Sequence, residues 1–269
     1  MPEPLSAVNT DGRASLRRAT RIADYLVMLL AIALGGGSLV FFFWPGRPML
    51  VPMPLTPAAA LWWNALLLLV FFAQHSVMVR RPIRARLAKV IPVRYDAAFY
   101  AITSGLALTL AAVLYQRVSA PPLFVLHGYS RFMVDMLAFL AVAFFAWGII
   151  ALRTFDPFGL GPIRRHLRGS PAPASNAMPS HAEALVIRGP YRWVRHPLYA
   201  AAIILLWATP EMSLGRLVSA ALWTTWIMVG TVLEERDLVA DFGEGYRQYC
   251  KRVPMLVPWR ALVRTQSAG

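Results

Sequence analysis

Charge is the scarcest property of this chain. Asp, Glu, Lys and Arg together make up 15% of its 269 residues, whereas hydrophobic types make up 58%. Soluble domains carry about a quarter charged residues. The composition therefore excludes a water-soluble globule and points to a chain built for lipid. Acids are scarcer still, 13 against 27 Lys and Arg, which gives a formal net charge of +14. In a soluble protein that excess would suggest a nucleic-acid partner. Here the basic residues fall in loops between apolar runs, where they set topology and meet anionic headgroups of membrane lipids, so no nucleic-acid partner is expected. Cysteine occurs once, at Cys250. That excludes an intrachain disulfide and a Cys-based metal cluster, and no metal site is expected. No internal repeat and no separate soluble domain stand out.

Long apolar runs are what the chain has in abundance. Six stand out: about Ile22 to Trp44, Ala58 to Val79, Ala97 to Tyr115, Phe132 to Leu152, Leu198 to Ala208, and Leu214 to Leu233. Four have the roughly 20-residue length that a bilayer demands. The fifth is short and is broken by Thr209-Pro210-Glu211. The expected fold is an all-α, polytopic integral membrane bundle of five to six transmembrane helices ending in a helical hairpin. Its expected organisation is a basic cytoplasmic tail over 1–21, four transmembrane helices over 22–152, and a core over 153–269 holding a cytoplasmic loop, the hairpin and a tail. The first run is too long, and its polar lead too extended, for a cleavable signal peptide.

Orientation follows from Lys and Arg. On one side the loops hold Arg47, Arg117, Arg131 and Arg216, which is four of the 27 and leaves 23 for the other side. The asymmetry places both termini in the cytoplasm, with an even number of crossings, in what is expected to be a bacterial inner membrane. The longest loop, from Arg153 to Arg195, is Pro/Ala/Ser-rich around residues 169–180, a composition that buries no core and suits either a flexible linker or a lid.

Two polar clusters flank the last apolar pair. The first is Arg195-His196-Pro197-Leu198-Tyr199. Proline favours the first helical position, so a helix is predicted to start at Pro197, and the free N–H groups of its first turn suit a carboxylate or phosphate. Tyr191, Trp193 and Tyr199 add aromatic faces that attract cations. The same residues also fit an interfacial helix start with an aromatic belt and snorkelling arginines. The second cluster is Glu234-Glu235-Arg236-Asp237. It reads either as a helix reaching water or as acids retained for binding, since two carboxylates at a helix C-terminus oppose the macrodipole. Further upstream, Gln74-His75 interrupts an apolar run. His75 is a candidate proton acceptor or a hydrogen-bonding partner for a neighbouring helix. Asp96 and Asp156 are expected to orient loop arginines.

Over residues 188–259 the chain resembles the C-terminal core of the isoprenylcysteine carboxyl methyltransferase superfamily of membrane enzymes. The matching pieces are Gly189-Pro190-Tyr191, Arg195-His196-Pro197-Leu198-Tyr199, Glu234-Glu235, Phe242-Gly243-Glu244-Gly245-Tyr246, and Tyr249 to Pro254 with Pro258 closing. The N-terminal half is similar to the nurim-like branch, through Phe71 to Met78, Phe155 to Leu160, and Trp207 to Met212. That branch includes bacterial methanethiol S-methyltransferases, which make dimethyl sulfide.

The resemblance implies S-adenosylmethionine as cofactor, held by Tyr191, His196, Pro197, Leu198, Tyr199 and Glu234, with a preceding segment at Glu183, Ala184, Leu185 and Val186 and a polar residue near Asn176. The carboxylate, ammonium, ribose, adenine and sulfonium of that molecule match the helix start, acids and aromatics read above. It implies a small or membrane-partitioning thiol as substrate, with His75 a candidate base. Prenylcysteine enzymes carry an arginine one turn before the acid pair; Gly230 stands there, which argues against a prenylcysteine carboxylate. Thr154 replaces a histidine of the branch, and the loop over 169–187 is longer. The alternatives are methylation of a prenylcysteine, lipid or other membrane-soluble acceptor, and a non-catalytic nurim-like scaffold.

Overall fold

The computed structural model describes residues 8–44, 46–153, 155–170, 185 and 187–259. Five helical stretches are long and apolar enough to cross a bilayer: Ala14–Phe43, Pro57–Val79, Val93–Leu114, Gly128–Leu152 and Leu214–Phe242. The protein is an all-α polytopic membrane bundle, folded as two compact units.

The first unit is formed within 1–51, 70–114 and 156–176. Its elements are α1 (Val8–Leu30), a π-helical stretch (Ala31–Gly36), α2 (Gly37–Phe43), the later part of α3 (Pro57–Val79), α4 (Arg81–Leu87), α5 (Asp96–Leu114) and α7 (Leu160–Leu167). The widened π turn lies against α5. A Cβ built on Gly105 would overlap the Leu34 carbonyl, so only glycine lets the two backbones meet. Ala31, Ala98, Ala101, Leu160 and Ile163 form the buried centre. The short α7 turns Leu160 and Ile163 inward and leaves Arg164, Arg165 and Arg168 exposed. Asp156 starts it by accepting the N–H groups of Leu160 (2.9 Å) and Gly161 (2.6 Å). It therefore caps a helix. Asp96 pairs with Arg84 as expected. Asp24, fully buried in α1, accepts hydrogen bonds from Tyr95 Oη (2.5 Å) and Arg94 Nε (3.3 Å) and meets His166 Nδ1 at 2.8 Å. Three partners make this buried carboxylate tolerable in an apolar bundle.

The second unit is formed within 52–69, 115–155 and 177–269. It contains the start of α3, β1 (Phe124–Val125), α6 (Gly128–Leu152), α8 (Pro197–Trp207), β2 (Glu211–Met212), α9 (Leu214–Phe242) and α10 (Glu244–Arg252). Buried Asn64 clamps Gln116 at both its carbonyl and its N–H, each at 2.8 Å. β1 and β2 pair antiparallel, Phe124 with Met212 and Val125 with Glu211.

This small sheet bears on the path of the short fifth apolar run. β2 lies beside the chain that enters α6, while Leu198 at the other end of α8 meets Gly148 near the end of α6; a Cβ there would lie 2.7 Å from Leu198 Cδ2. The eleven residues of α8 rise about 16 Å, and the five after it add up to about 16 Å in extended form. Helix plus tail therefore match the roughly 30 Å hydrocarbon thickness. Non-helical backbone at that depth needs protein partners, and it has them: Leu123 N–H donates to Met212 O and Leu126 N–H to Pro210 O, both at 2.7 Å.

Three differences from the sequence expectation have physical causes. The first helix begins at Val8, inside the stretch read as a tail. The last span runs on to Phe242, because a helix can leave the bilayer without ending. The helices α4, α7 and α10 lie in basic loops, where polar residues hide them from a hydropathy reading.

Candidate functional site

The polar end of the second unit is built around the start of α8. Arg188 leads into a 3₁₀ turn, Gly189–Arg192, with Pro190 in its first positions. Gly189 takes φ +51°, and a Cβ on it would lie 3.0 Å from the indole nitrogen of Trp147. Both conditions call for glycine. The turn thus sits directly on α6, where Trp193 packs edge-on to Trp147 (centroids 5.0 Å) and parallel to Phe144 (6.3 Å, 12°). His196 then caps α8 with non-helical angles and Pro197 opens it, as the His-Pro motif predicts.

The acids of α9 arrive opposite. Tyr199 Oη donates to Glu234 Oε2 at 2.7 Å. The Tyr191 phenol is pushed well above the usual range by burial and, secondarily, by the charge of Glu234. The two tyrosines and Glu234 therefore share one neighbourhood. Among the described residues only Oε2 of Glu234 is engaged, so the carboxylate keeps accepting capacity for a hydroxyl or ammonium group. Glu235 does different work. Its Oε1 receives Arg195 Nε and Nη2, both at 2.7 Å, and lies 3.1 Å from His196 Nε2. The His196 ring is nearly parallel to that of Tyr199, at 5° and 5.6 Å between centroids.

A third segment closes against this pair. Arg195 Nη1 donates to the carbonyls of Val253 (2.6 Å) and Cys250 (3.2 Å). The N–H groups of Arg195 and His196 donate to Pro254 O (2.9 Å) and Met255 O (3.1 Å). Tyr249 Oη donates to the Tyr191 carbonyl at 2.5 Å. Tyr246, Tyr249 and Val253 are buried there, with Leu185 packed against them. Burial also raises the Cys250 thiol, against the opposing pull of Arg195, which suits an inert thiol.

Of the residues singled out from sequence, Tyr191, His196, Pro197, Leu198, Tyr199 and Glu234 converge here. Leu185 lies beneath α10. Glu183, Ala184 and Val186 lie outside the described residues, as do Thr154 and Asn176. His75 belongs to the first unit, where its Nε2 lies 2.5 Å from the hydroxyl of Tyr100 on α5. Beside it, Gln74 Nε2 (2.8 Å) and Thr103 Oγ1 (3.2 Å) donate to the Met78 sulfur. Sequence reasoning read Glu234 and Glu235 as one acid pair and did not foresee that Glu235 pairs with Arg195, and it passed over Tyr100, which carries no local signal. Among the described residues no group of three or more His, Cys, Asp or Glu side chains is placed to hold a metal.

The chain is similar in sequence to known proteins. The family model described as NnrU protein matches residues 65–233. Methanethiol S-methyltransferase of Pseudomonas deceptionensis is 36% identical over 204 residues, 74% of this chain and 73% of that relative. Methanethiol S-methyltransferase 1 of Bradyrhizobium diazoefficiens is 32% identical over 247 residues, 90% and 82% respectively. Nurim of Mus musculus is 28% identical over 197 residues, 67% and 68%. No solved structure matches. The family match takes in α8 and most of α9, and it spans the segments at 71–78, 155–160 and 207–212 that resemble the nurim-like branch: the protein belongs to the NnrU family.

Proposed function

We propose that this protein is an integral-membrane, S-adenosylmethionine-dependent S-methyltransferase that converts methanethiol to dimethyl sulfide. The observation that carries the reading is the convergence of Tyr199, Tyr191 and Glu234 at the start of α8, in a chain similar over most of its length to relatives named methanethiol S-methyltransferases.

The residues present fit the cofactor. Glu234 offers a carboxylate with acceptor capacity for ribose hydroxyls or an ammonium group. The first turn of α8 suits a carboxylate, and the faces of Tyr191, Trp193 and Tyr199 suit a cation and a flat base. When bound, S-adenosylmethionine supplies an electrophilic methyl group on a sulfonium. The chain's own task is then to hold the reactants in line and keep water out. A thiol that took this methyl from the cofactor's sulfur would have to give up its proton. His75, whose Nε2 lies beside the Tyr100 hydroxyl in the first unit, is the candidate base for that proton. A thiol needs little further help, because even a few per cent of thiolate is strongly nucleophilic. In this reading the protein lies in a bacterial inner membrane with both termini cytoplasmic, an orientation supported by four Lys or Arg in the loops of one side against 23 elsewhere.

The test is transfer of labelled methyl from S-adenosylmethionine to methanethiol by purified protein in detergent. Wild type should yield volatile labelled dimethyl sulfide. Glu234→Gln should weaken cofactor binding about tenfold, some 1.4 kcal/mol, with an unchanged unfolding temperature. His75→Gln should lower turnover without weakening the binding of S-adenosylhomocysteine, the demethylated product. A cofactor-dependent thermal shift without product would discard the thiol. Neither shift nor product would leave a membrane scaffold.

A further inference from the structure

Residues that touch a ligand need others to hold them, and at the head of α8 Arg195 is central to that task. Arg195 joins three segments that are distant in sequence: the turn before α8, the polar end of α9, and the chain leaving α10. One side of its guanidinium, Nε and Nη2, faces Glu235 Oε1 at 2.7 Å; Nη1 reaches Val253 O at 2.6 Å and Cys250 O at 3.2 Å. The pair is sheltered, with Arg195 and Glu235 side chains 10% and 19% exposed. Backbone bonds reinforce the clasp, because the N–H groups of Arg195 and His196 end on Pro254 O and Met255 O.

From there the contacts continue without a gap. Glu235 Oε1 lies 3.1 Å from His196 Nε2, the His196 ring stacks on Tyr199, and Tyr199 donates to Glu234. We propose that Arg195 is a positioning residue that clasps the C-terminal segment 250–255 onto the head of α8 and, through Glu235 and His196, sets Tyr199 and Glu234 for the cofactor. The inference rests on the reading that this end of the second unit binds S-adenosylmethionine. Its chemical basis is the rigid fork of arginine, which donates in two directions at once; lysine keeps the charge but not the fork. The segment after α10 is then a wall of the site, and ligand binding must be felt there.

Two measurements test this. The first is titration of S-adenosylhomocysteine into wild type, Arg195→Lys and Glu235→Gln, followed by initial rates. Both variants should bind about tenfold more weakly. Their KM for the cofactor should rise accordingly, while kcat at saturation stays within about threefold, a split that mere loss of folded protein does not produce. The second needs no variant: in wild type the same ligand should slow hydrogen exchange of the Val253, Met255 and Leu256 amides. Wild-type affinity in both variants, or bound ligand with unchanged exchange over 253–256, overturns the role of Arg195 while sparing the cofactor reading. Failure of wild type to bind at all overturns the cofactor reading and this inference with it.

Discussion

At the polar end of the second unit, burial raises the phenols of Tyr191, Tyr246 and Tyr249 above the usual tyrosine range. Carboxylate charge adds to this, from Glu234 on Tyr191 and from Glu235 on Tyr246, whereas Arg195 works against it at Tyr249. A group whose folded value is raised contributes stability that is complete below its unfolded value, about pH 10 for tyrosine, and lost as pH climbs beyond it. Thermal unfolding in detergent should therefore be flat from pH 8 to about 10 and fall steeply above. In Tyr249→Phe the midpoint should be lower at neutral pH, because the bond to the Tyr191 carbonyl is gone, but the alkaline fall should be shallower. An equal slope in both proteins would mean that Tyr249 is not held neutral by the fold. Such partnerships mark the limit of what residues reveal in sequence. Tyr191, His196, Tyr199 and Glu234 stand in recognisable motifs. That Glu235, not Glu234, takes Arg195 and His196 depends on which side of α9 meets the head of α8, and the pairing spans 40 residues. Tyr100 reaches His75 from another helix, and no spacing rule connects them.

Helix contacts in the first unit turn on atoms that are missing. A Cβ on Gly105 would strike the backbone of Leu34 in the π turn, which cannot yield as a side-chain end can. Gly105→Ala should cost about 1–3 kcal/mol through overpacking and lower the unfolding temperature in detergent. Gly230 on α9 is the control, since a Cβ there meets nothing within 4 Å. Gly230→Ala should be neutral or stabilise by up to about 1 kcal/mol through helix propensity. Equal effects at the two positions would contradict the close approach of α5 to the π turn. The long helices themselves were legible, because a bilayer demands about 20 apolar residues and each run announces its own ends with Arg, Pro or Gly. The π turn was not, since it is one extra residue per turn inside an apolar run. Neither was α7, whose outward face of Arg164, Arg165 and Arg168 reads as loop until Leu160 and Ile163 are seen on the core.

Over the whole molecule, the number of crossings hangs on eleven residues of α8 and the five that follow. Hydropathy leaves this run ambiguous, because the helix alone is too short to span; the pairing of β2 with β1 beside the entry to α6 is what argues for a crossing. A crossing here would make six with the five long spans, and an even count would return the C-terminus to the side of the N-terminus. Were α8 to turn back within the membrane, the count would be five and the termini would part. Green fluorescent protein, which lights up only in the cytoplasm, attached in turn to each end should fluoresce in both fusions. Alkaline phosphatase, active only outside, should work when inserted near Arg47 or Arg117 and stay silent after Arg168. One dark terminus would overturn the sixth crossing. Two dark termini with active phosphatase after Arg168 would keep six crossings but invert the protein, against the direction expected from the distribution of its 27 basic residues.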